Sequence, residues 1–136
     1  MVKGSCVCGE WTYQYEGDAV VATFFCHCVP CRKLAGINGS TNAVVSENQY
    51  KQLSGTDRTF VRKGDSGKDV TNHNCAKCGT IMWAKVESLA GVKIVKTGTI
   101  DDEEALNQAI PVQEIYCKDR PASTPAISGI EQKHAA

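Results

Sequence analysis

Short runs of β-branched and aromatic residues recur along the chain, separated by glycine, asparagine and aspartate. In the run WTYQY, aromatic residues alternate with polar ones, which is the period-2 pattern of a half-buried strand. The pattern therefore predicts a mainly β protein. The predicted strands lie at residues 11–15, 20–25, 41–46, 59–63, 80–86, 92–100 and 112–117.

Helical signals are few and short. The segment DDEEALNQ has an acidic first turn that suits a helix N-terminus, with Asp101 as its predicted cap and Pro111 ending it after about two turns. A second short helix is predicted within PCRKLAG, with Gly36 as its stop. We therefore expect one or two short helices.

The length of 136 residues predicts a single domain, because it suffices for one sizeable core and not for two independent ones. The last segment, about residues 121–136, has two prolines and little periodicity, so we expect a C-terminal coil on the surface. No internal repeat or linker divides the chain.

The net charge of the chain indicates whether it would attract nucleic acid or a membrane surface. Fifteen basic and fifteen acidic residues cancel, so no net field would gather nucleic acid or an anionic membrane surface. The N-terminal MVKGSCVCGEW lacks the apolar run of a secretory signal, and no run approaches the roughly 20 apolar residues of a membrane span. We expect a soluble, intracellular, cytoplasmic protein, whose eight cysteines stay reduced.

Seven of the eight cysteines fall in three tight groups. If Cys6 and Cys8 lie in an extended segment, both side chains point the same way. A C-x-x-C followed by glycine, as at Cys75 and Cys78, aims two thiolates at one ion. These four predict a closed tetrahedral site, for which zinc is the natural occupant. The remaining group offers three sulfurs and hence an open zinc site with one exchangeable position; its members are Cys26, Cys28 and Cys31.

Other interpretations of the cysteines stay open at this point. Disulfides are one, although C-x-C pairs would close strained small rings. Burial of free cysteines is another, and Cys117, which ends an apolar run, is interpreted as a core residue. A different partition would let Cys26 or Cys31 complete the first site.

Several other residues are candidates on weaker grounds. His27 lies between predicted ligands, but its direction alternates with theirs in an extended backbone, so we predict that it does not bind metal. His73 and His134 have no supporting motif. A group of basic residues could attract an anionic substrate or be plain solvated charge: Arg32, Lys33, Arg58, Arg62 and Lys63.

Five segments, in order, carry a resemblance to a known family: GSCVCGEWTY, FCHCVPCRKLAG, CAKCGTIMW, KTGTIDD and YCKDRPAS. Together they resemble the glutathione-dependent formaldehyde-activating enzymes and the wider GFA/CENP-V domain family, over essentially the whole chain. Two places differ from that pattern: Asn74 stands where members often carry an aromatic residue, and residues 122–124 lack a bulky aromatic.

The resemblance implies a small zinc-containing β-tent fold of several antiparallel sheets. It implies a structural zinc on Cys6, Cys8, Cys75 and Cys78, and a second zinc on Cys26, Cys28 and Cys31 as the catalytic position. It also implies glutathione as substrate or co-substrate and its joining to formaldehyde as the reaction.

The leading functional hypothesis is a zinc-dependent carbon–sulfur lyase that makes or breaks a carbon–sulfur bond in a glutathione-type adduct. Its partner would be a small-molecule thiol or thiol conjugate. His27 and Tyr116 are the candidates for a general base, by residue type alone. The rivals are a glutathione-binding carrier without turnover and a zinc-stabilised module for protein interaction.

Overall fold

The structure, a computed structural model, describes residues 1–136 and contains eleven strands and two α-helices. The strands are β1 (Val2–Ser5), β2 (Thr12–Tyr15), β3 (Val20–Cys26), β4 (Ser40–Ser46), β5 (Tyr50–Ser54), β6 (Asp57–Lys63), β7 (Asp69–Cys75), β8 (Ile81–Val86), β9 (Val92–Lys96), β10 (Gln113–Ile115) and β11 (Glu131–Gln132). The helices are α1 (Val29–Ala35) and α2 (Glu103–Gln108). The prediction of a mainly β protein is confirmed. No helix is both long enough and apolar enough to cross a membrane.

The strands form two sheets. The smaller has the order β1-β2-β5, and the larger has the order β11-β10-β3-β4-β9-β8-β7-β6. The small sheet is antiparallel, but the large one is mixed, because β10 pairs in parallel with both β3 and β11.

The core lies between the small sheet and one face of the large sheet. Trp11, Tyr13 and Tyr15 are buried to 2% exposure or less, and the alternation in WTYQY places all three on one side of β2. They pack in one cluster with large-sheet residues, which are Ala43, Val45, Met82, Trp83 and Val95. Burial of these aromatic side chains supplies the main apolar driving force that holds the two sheets together.

The opposite face of the large sheet carries a different set of side chains. Cross-strand pairing puts Cys26 beside Ser40, and Asn42 beside both Phe24 and Lys96. The same face continues across the sheet through Ile94, Ala84, Asn72, Phe60, Asn74 and Arg62.

This second face is concave. Tyr116, which follows β10, donates a hydrogen bond of 2.7 Å to the Asp65 carboxylate in the turn between β6 and β7. Five strands separate β10 from β6, which in a flat sheet would place them about 29 Å apart. The sheet must therefore curl for the two side chains to meet, and we call this surface the concave face.

The strand prediction misses β1, β5, β7 and β11. β7, with the sequence DVTNHNC, has little apolar character but is paired on both sides, by β6 and β8. The predicted strand at residues 92–100 ends at Lys96 and continues as a 3-10 turn over Thr97–Thr99. Pairing with other strands decides these elements, and the local pattern of each segment does not reveal it.

The two predicted helices are present. Helix α1 ends at Gly36, as predicted, whose φ of 86° is a left-handed conformation that glycine adopts without strain. The predicted cap of α2 is wrong by one residue. Asp102 caps the helix by accepting a hydrogen bond of 2.8 Å from the Ala105 N–H, while Asp101 accepts one of 2.6 Å from Ser5.

The expectation of a coil over residues 121–136 is wrong in part. Glu131–Gln132 forms β11, which extends the large sheet by pairing with β10. The backbone N–H groups of Tyr116 and Cys117 donate to carbonyls of Ala135 and Lys133. The end of the chain is thus held by the sheet.

Candidate metal centres

The structure brings Cys6, Cys8, Cys75 and Cys78 together, with their four sulfur atoms within 4.8 Å of one another. The Sγ atoms of Cys6 and Cys8 are 3.5 Å apart, and those of Cys8 and Cys75 are 3.8 Å apart. All eight cysteines are free, and these distances are far longer than the roughly 2.05 Å of a disulfide. The group joins the N-terminal segment to the end of β7.

Two tight turns present these four sulfurs. In one, the Gly79 N–H donates to the Cys75 carbonyl at 2.9 Å, and glycine suits the φ of 79° at that position. In the other, the Gly9 N–H donates to the Cys6 carbonyl at 3.0 Å. The expectation of an extended C-x-C segment is therefore wrong, because this segment turns back on itself.

Hydrogen bonds around the four sulfurs favour thiolate at some positions. Burial acts to raise the pKa of Cys6, but the Trp11 N–H, which donates to Sγ at 3.3 Å, and the Cys8 and Cys75 thiols more than offset it and lower the pKa. The Thr80 hydroxyl, 3.1 Å from the sulfur of Cys78, lowers the pKa of that thiol. These sulfurs are prepared to act as anionic ligands.

A tetrahedral zinc ion fits this donor set. Zinc–sulfur bonds of about 2.3 Å place the sulfurs of a tetrahedron about 3.8 Å apart. The two separations of 3.5 and 3.8 Å agree with that value, and all four donors are thiols, which zinc prefers in structural sites.

The second group lies across the sheet, where β3 runs into α1. Cys26 is the last residue of β3, Cys28 caps α1, and Cys31 lies in the first turn of that helix. Their three sulfurs lie within 4.8 Å of one another, and the set also suits zinc, with one position left for another ligand. The structure joins neither Cys26 nor Cys31 to the four-sulfur group.

The loop that follows α1 fixes the position of Cys26. Gly39 has a φ of 67°, and a Cβ atom there would lie 2.2 Å from the Cys26 carbonyl oxygen. Only glycine allows the chain to pass so close to the end of β3. The exposures of Cys26 and Cys28 are 5% and 9%, and Cys31 is half-buried, whereas Cys8 and Cys78 of the other group are exposed.

A polar network on the concave face connects to these three sulfurs. The Lys96 ammonium donates a hydrogen bond of 2.7 Å to the Asn42 side-chain oxygen. The Asn42 amide nitrogen donates to the carbonyl and hydroxyl oxygens of Ser40, at 3.0 and 3.1 Å. The Ser40 side chain in turn helps to lower the pKa of the Cys31 thiol.

Lys96 provides a positive charge close to the sulfurs. Burial lowers the pKa of Lys96, while negative charge on Cys31, Cys26 and Cys28 acts in the opposite direction. Hydrogen bonds from Cys26 and Cys28 lower the pKa of Cys31, and the charge of Lys96 adds to that effect. The sequence analysis missed Lys96, although its place in VKIVK offered a signal, since it follows Val92 and Ile94 on one face.

His27 is not among the residues whose ligand atoms converge in either cysteine group. Its Nε2 lies 2.7 Å from the Glu114 carboxylate, both side chains are at most 1% exposed, and its ring stacks on Phe25 with centroids 4.4 Å apart. Glu114, also missed by the sequence analysis, further accepts hydrogen bonds from the Ile127 N–H and the Gln132 amide. His27 is therefore a connection to the C-terminal segment.

Tyr116, the other candidate base, lies near Cys26 and Cys28 but is poorly suited to accept a proton. Its hydrogen bond to Asp65 and its burial raise its pKa, so its hydroxyl stays protonated. Its φ of 55° makes it the only non-glycine residue with positive φ. This left-handed conformation carries a cost of about 1–2 kcal/mol and directs the ring across the concave face.

The other candidates lie elsewhere. His73 has its Nδ1 2.5 Å from Asp57 and its ring stacked on Trp83 at 3.8 Å, and His134 contributes a backbone carbonyl that accepts from Lys118. The interpretation of Cys117 as a core residue is wrong, because it is half-buried among polar groups, with the Arg120 guanidinium 3.2 Å from its sulfur.

The basic group divides in the structure. Lys63 pairs with Asp69 at 2.6 Å, and Arg32 and Lys33 lie in the last turn of α1. Arg62 differs, because its Nε is buried on the concave face without a hydrogen-bond partner.

The chain is similar to a known protein family and to a solved structure. Residues 1–119 match the family model described as glutathione-dependent formaldehyde-activating enzyme. A crystal structure of a Rhodobacter sphaeroides protein is similar, with a TM-score of 0.60 at 15% sequence identity, covering 80% of this chain and 96% of that one. This likeness concerns the fold alone. No curated protein matches the sequence significantly.

Proposed function

The chain belongs to the glutathione-dependent formaldehyde-activating enzyme (GFA) family, and from that premise we propose that it makes or breaks a carbon–sulfur bond in adducts of a glutathione-type thiol. The observation that carries the proposal is the three-sulfur group of Cys26, Cys28 and Cys31, which lies on a concave polar face beside Lys96. We assign catalysis to this group and zinc to both cysteine groups, in the β-tent arrangement that the resemblance implied.

The two groups take different roles under this proposal. Cys6, Cys8, Cys75 and Cys78 supply four thiolates, which complete a tetrahedron and leave no place for a substrate, so they serve the fold. The other three leave one position free. When bound there, zinc would supply a site that holds the substrate sulfur as its thiolate.

The reaction needs no change of oxidation state. When an aldehyde such as formaldehyde is captured, the thiol sulfur forms a bond to the carbonyl carbon, the C=O double bond becomes single, and the thiol proton ends on that oxygen. The reverse breaks the carbon–sulfur bond and returns the proton to sulfur. A glutathione thiol with a pKa near 8.5 is mostly protonated at neutral pH, so holding it as thiolate accelerates the addition.

The surrounding residues of the chain contribute position and charge. Hydrogen bonds link the Lys96 ammonium to Asn42 and Asn42 to Ser40, whose side chain lowers the pKa of Cys31, and this chain fixes the positive charge beside the sulfurs. Three thiolates on a divalent ion leave a net charge of about −1, and a fixed cation nearby offsets it. The cation also favours the oxygen anion that develops as sulfur adds to a carbonyl.

The proposal is tested by exchange NMR on glutathione and 13C-formaldehyde, measured against the same mixture without protein. We expect the zinc-loaded protein to accelerate exchange between free formaldehyde and the S-hydroxymethyl adduct. The Cys31→Ser variant should lose the acceleration, and Cys117→Ser, which changes a cysteine outside both groups, should retain it. Glutathione binding without acceleration would favour the carrier, and neither binding nor acceleration would favour the interaction module.

A further inference from the structure

Strand β6 is an open edge of the large sheet. It is the last strand in the sheet order, and β7 is the only strand paired with it. Six of its seven residues are exposed, among them Phe60 and Val61, which are 51% and 52% exposed. A long exposed edge strand with apolar side chains is a template for pairing with another strand. This edge is therefore a candidate interaction surface.

Two other sheet edges are protected, whereas β6 is not. The opposite edge of the large sheet, β11, is only two residues long. At an edge of the small sheet, β1 is covered where Gly4 bridges Ile100 and where the Asp101 N–H donates to the Lys3 carbonyl at 2.9 Å. In contrast, β6 is seven residues long, contains no proline and pairs with β7 without a bulge, so nothing in its own structure prevents a further strand from adding to it.

The backbone of β6 turns hydrogen-bonding groups outward at alternate residues. The Gly64 N–H donates to the Lys68 carbonyl at 2.9 Å, and the Ala76 N–H donates to the Thr56 carbonyl at 2.8 Å. Because hydrogen bonds alternate along an antiparallel pair, β6 bonds β7 through its even-numbered residues. The odd-numbered residues point their N–H and C=O groups to the open edge, and these are Asp57, Thr59, Val61 and Lys63.

The sequence of β6, DRTFVRK, is suited to pairing with a second copy of itself. With Phe60 on a two-fold axis, two antiparallel copies overlap over all seven residues, and every outward backbone position meets an outward position of the other copy. Asp57 then lies opposite Lys63 of the second copy, and the symmetry makes this pair twice. Thr59 lies opposite Val61, which joins two β-branched residues. Charge and backbone pairing thus fit the same register.

Other registers of self-pairing fit less well. A shift by one residue would bring together side chains from opposite faces of the sheet. A shift by two residues would place Asp57 opposite either Asp65 or Val61 and would shorten the overlap. In the favoured register one like-charge pair remains, because Arg58 lies opposite Arg62 of the second copy, and this pair limits the affinity.

We propose that β6 is a homodimer interface, formed by antiparallel pairing of β6 from two copies of the chain about Phe60. The two-fold axis is perpendicular to the sheet, so the two large sheets join into one and both concave faces open on the same side. The interface is about 24 Å long, from seven residues at about 3.4 Å each. So small an interface predicts a dimer that dissociates on dilution in the micromolar range. The inference does not depend on the proposed reaction.

Sedimentation velocity of the zinc-loaded protein over a range of concentrations tests the proposal. We expect a reversible dimer. Val61→Pro should abolish it, because proline lacks the outward N–H, while no hydrogen bond to β7 is lost at this position. Val61→Thr is the matched control, since it keeps that N–H and a β-branched side chain, and it should dimerise like the unmodified protein. Circular dichroism verifies that both variants are folded.

Exchanged charges test the register. Asp57→Lys and Lys63→Glu each place like charges opposite each other within their own dimers, so each variant should dimerise at least about tenfold more weakly. A mixture of the two variants should form a heterodimer about as tight as the unmodified dimer, because opposite charges then face each other at both ends. Native mass spectrometry identifies the heterodimer by its mass, and its formation also shows that both variants are folded.

Three results would overturn the proposal. A protein that stays monomeric at every concentration would leave an extended segment of another protein as the partner for this edge. A dimer that persists in folded Val61→Pro would show that the copies associate through another surface. Failure of the two charge variants to associate on mixing would show that Asp57 and Lys63 do not face each other.

Discussion

Individual side chains divide the cysteines into two kinds of site. Lys96 is the residue that marks the difference, because it brings a cation to the three-sulfur group. The four-sulfur group has an ion pair close by, in which Lys77 lies 3.3 Å from Glu10, but both partners are exposed. A half-buried cation next to thiolates is energetically coupled to them, whereas an exposed ion pair is worth little.

Cys75 is the most deeply buried sulfur of the four-sulfur group, at 1% exposure. We predict that Cys75→Ser loses the structural zinc and cooperative folding together. Apparent zinc-binding free energies of about 10–16 kcal/mol in small metal-folded peptides equal or exceed the whole stability of an ordinary domain. Circular dichroism on heating and zinc content per chain measure the two effects.

Cys117→Ser is the control for that experiment, since it makes the same exchange of sulfur for oxygen at a half-buried cysteine. Its sulfur lies outside both groups, so we expect unchanged zinc content and a change of no more than about 1 kcal/mol in stability. A Cys75→Ser protein that stays folded with its full zinc content would falsify the structural role.

At the scale of elements, turns and sheet register together position both groups. Two glycine-containing turns, ending at Gly9 and Gly79, present the first four sulfurs. The end of β3 and the start of α1 present the other three. The register of β3, β4 and β9 then places Ser40, Asn42 and Lys96 beside the second group.

The C-terminal strand is coupled to the second group through Glu114. This buried side chain on β10 accepts hydrogen bonds from the Ile127 N–H and the Gln132 amide and lies 2.7 Å from His27, which stands between Cys26 and Cys28. Burial acts to raise the pKa of Glu114, but the hydrogen bonds from His27, Gln132 and Ile127 more than offset it and lower the pKa. The carboxylate form is thus favoured by folding.

We predict that Glu114→Gln lowers the stability of the zinc-loaded protein by about 2 kcal/mol at pH 7, because hydrogen bonds to a charged group are lost. A lowered folded-state pKa contributes stability that is complete above the unfolded value of about 4.3 and is lost as pH falls through the folded value. The difference from the unmodified protein should therefore shrink below about pH 4.5. Urea midpoints of both proteins between pH 3.5 and 7 measure it.

Comparing the two proteins at each pH separates this effect from acid release of zinc, which affects both. An unchanged difference across the pH range would show that the charge of Glu114 contributes nothing, and no difference at pH 7 would show that the network is unimportant for stability.

At the scale of the whole molecule, contacts between distant segments close the structure. The four-sulfur group joins residues 6 and 75, the Ser5 hydroxyl donates to Asp101, and Tyr116 reaches Asp65. The matched family region ends at residue 119, yet β11 and Ile127 beyond it complete the environment of Glu114. The last residues thus belong to the architecture of the second site.

The sequence predicted the mainly β class, both helices and the grouping of seven cysteines, because each depends on local spacing or a local pattern. It did not predict β7, whose polar residues form a strand only because β6 and β8 pair with it. Nor did it find Glu114 or Asn72, since their burial depends on partners 87 and 12 residues away in the chain, His27 and Ala84. Lys96 could have been identified from the sequence, because it is a charged residue that follows two apolar residues, Val92 and Ile94, on the same face of a strand.

Native mass spectrometry of the freshly isolated protein, prepared without chelator, tests the central claim most directly. The claim is that distant cysteines converge on two zinc ions, one enclosed by four sulfurs and one held by three. The account predicts a mass corresponding to two zinc ions per chain, falling to one in Cys31→Ser. A protein that carries no zinc, or in which Cys31→Ser still carries two, would contradict it.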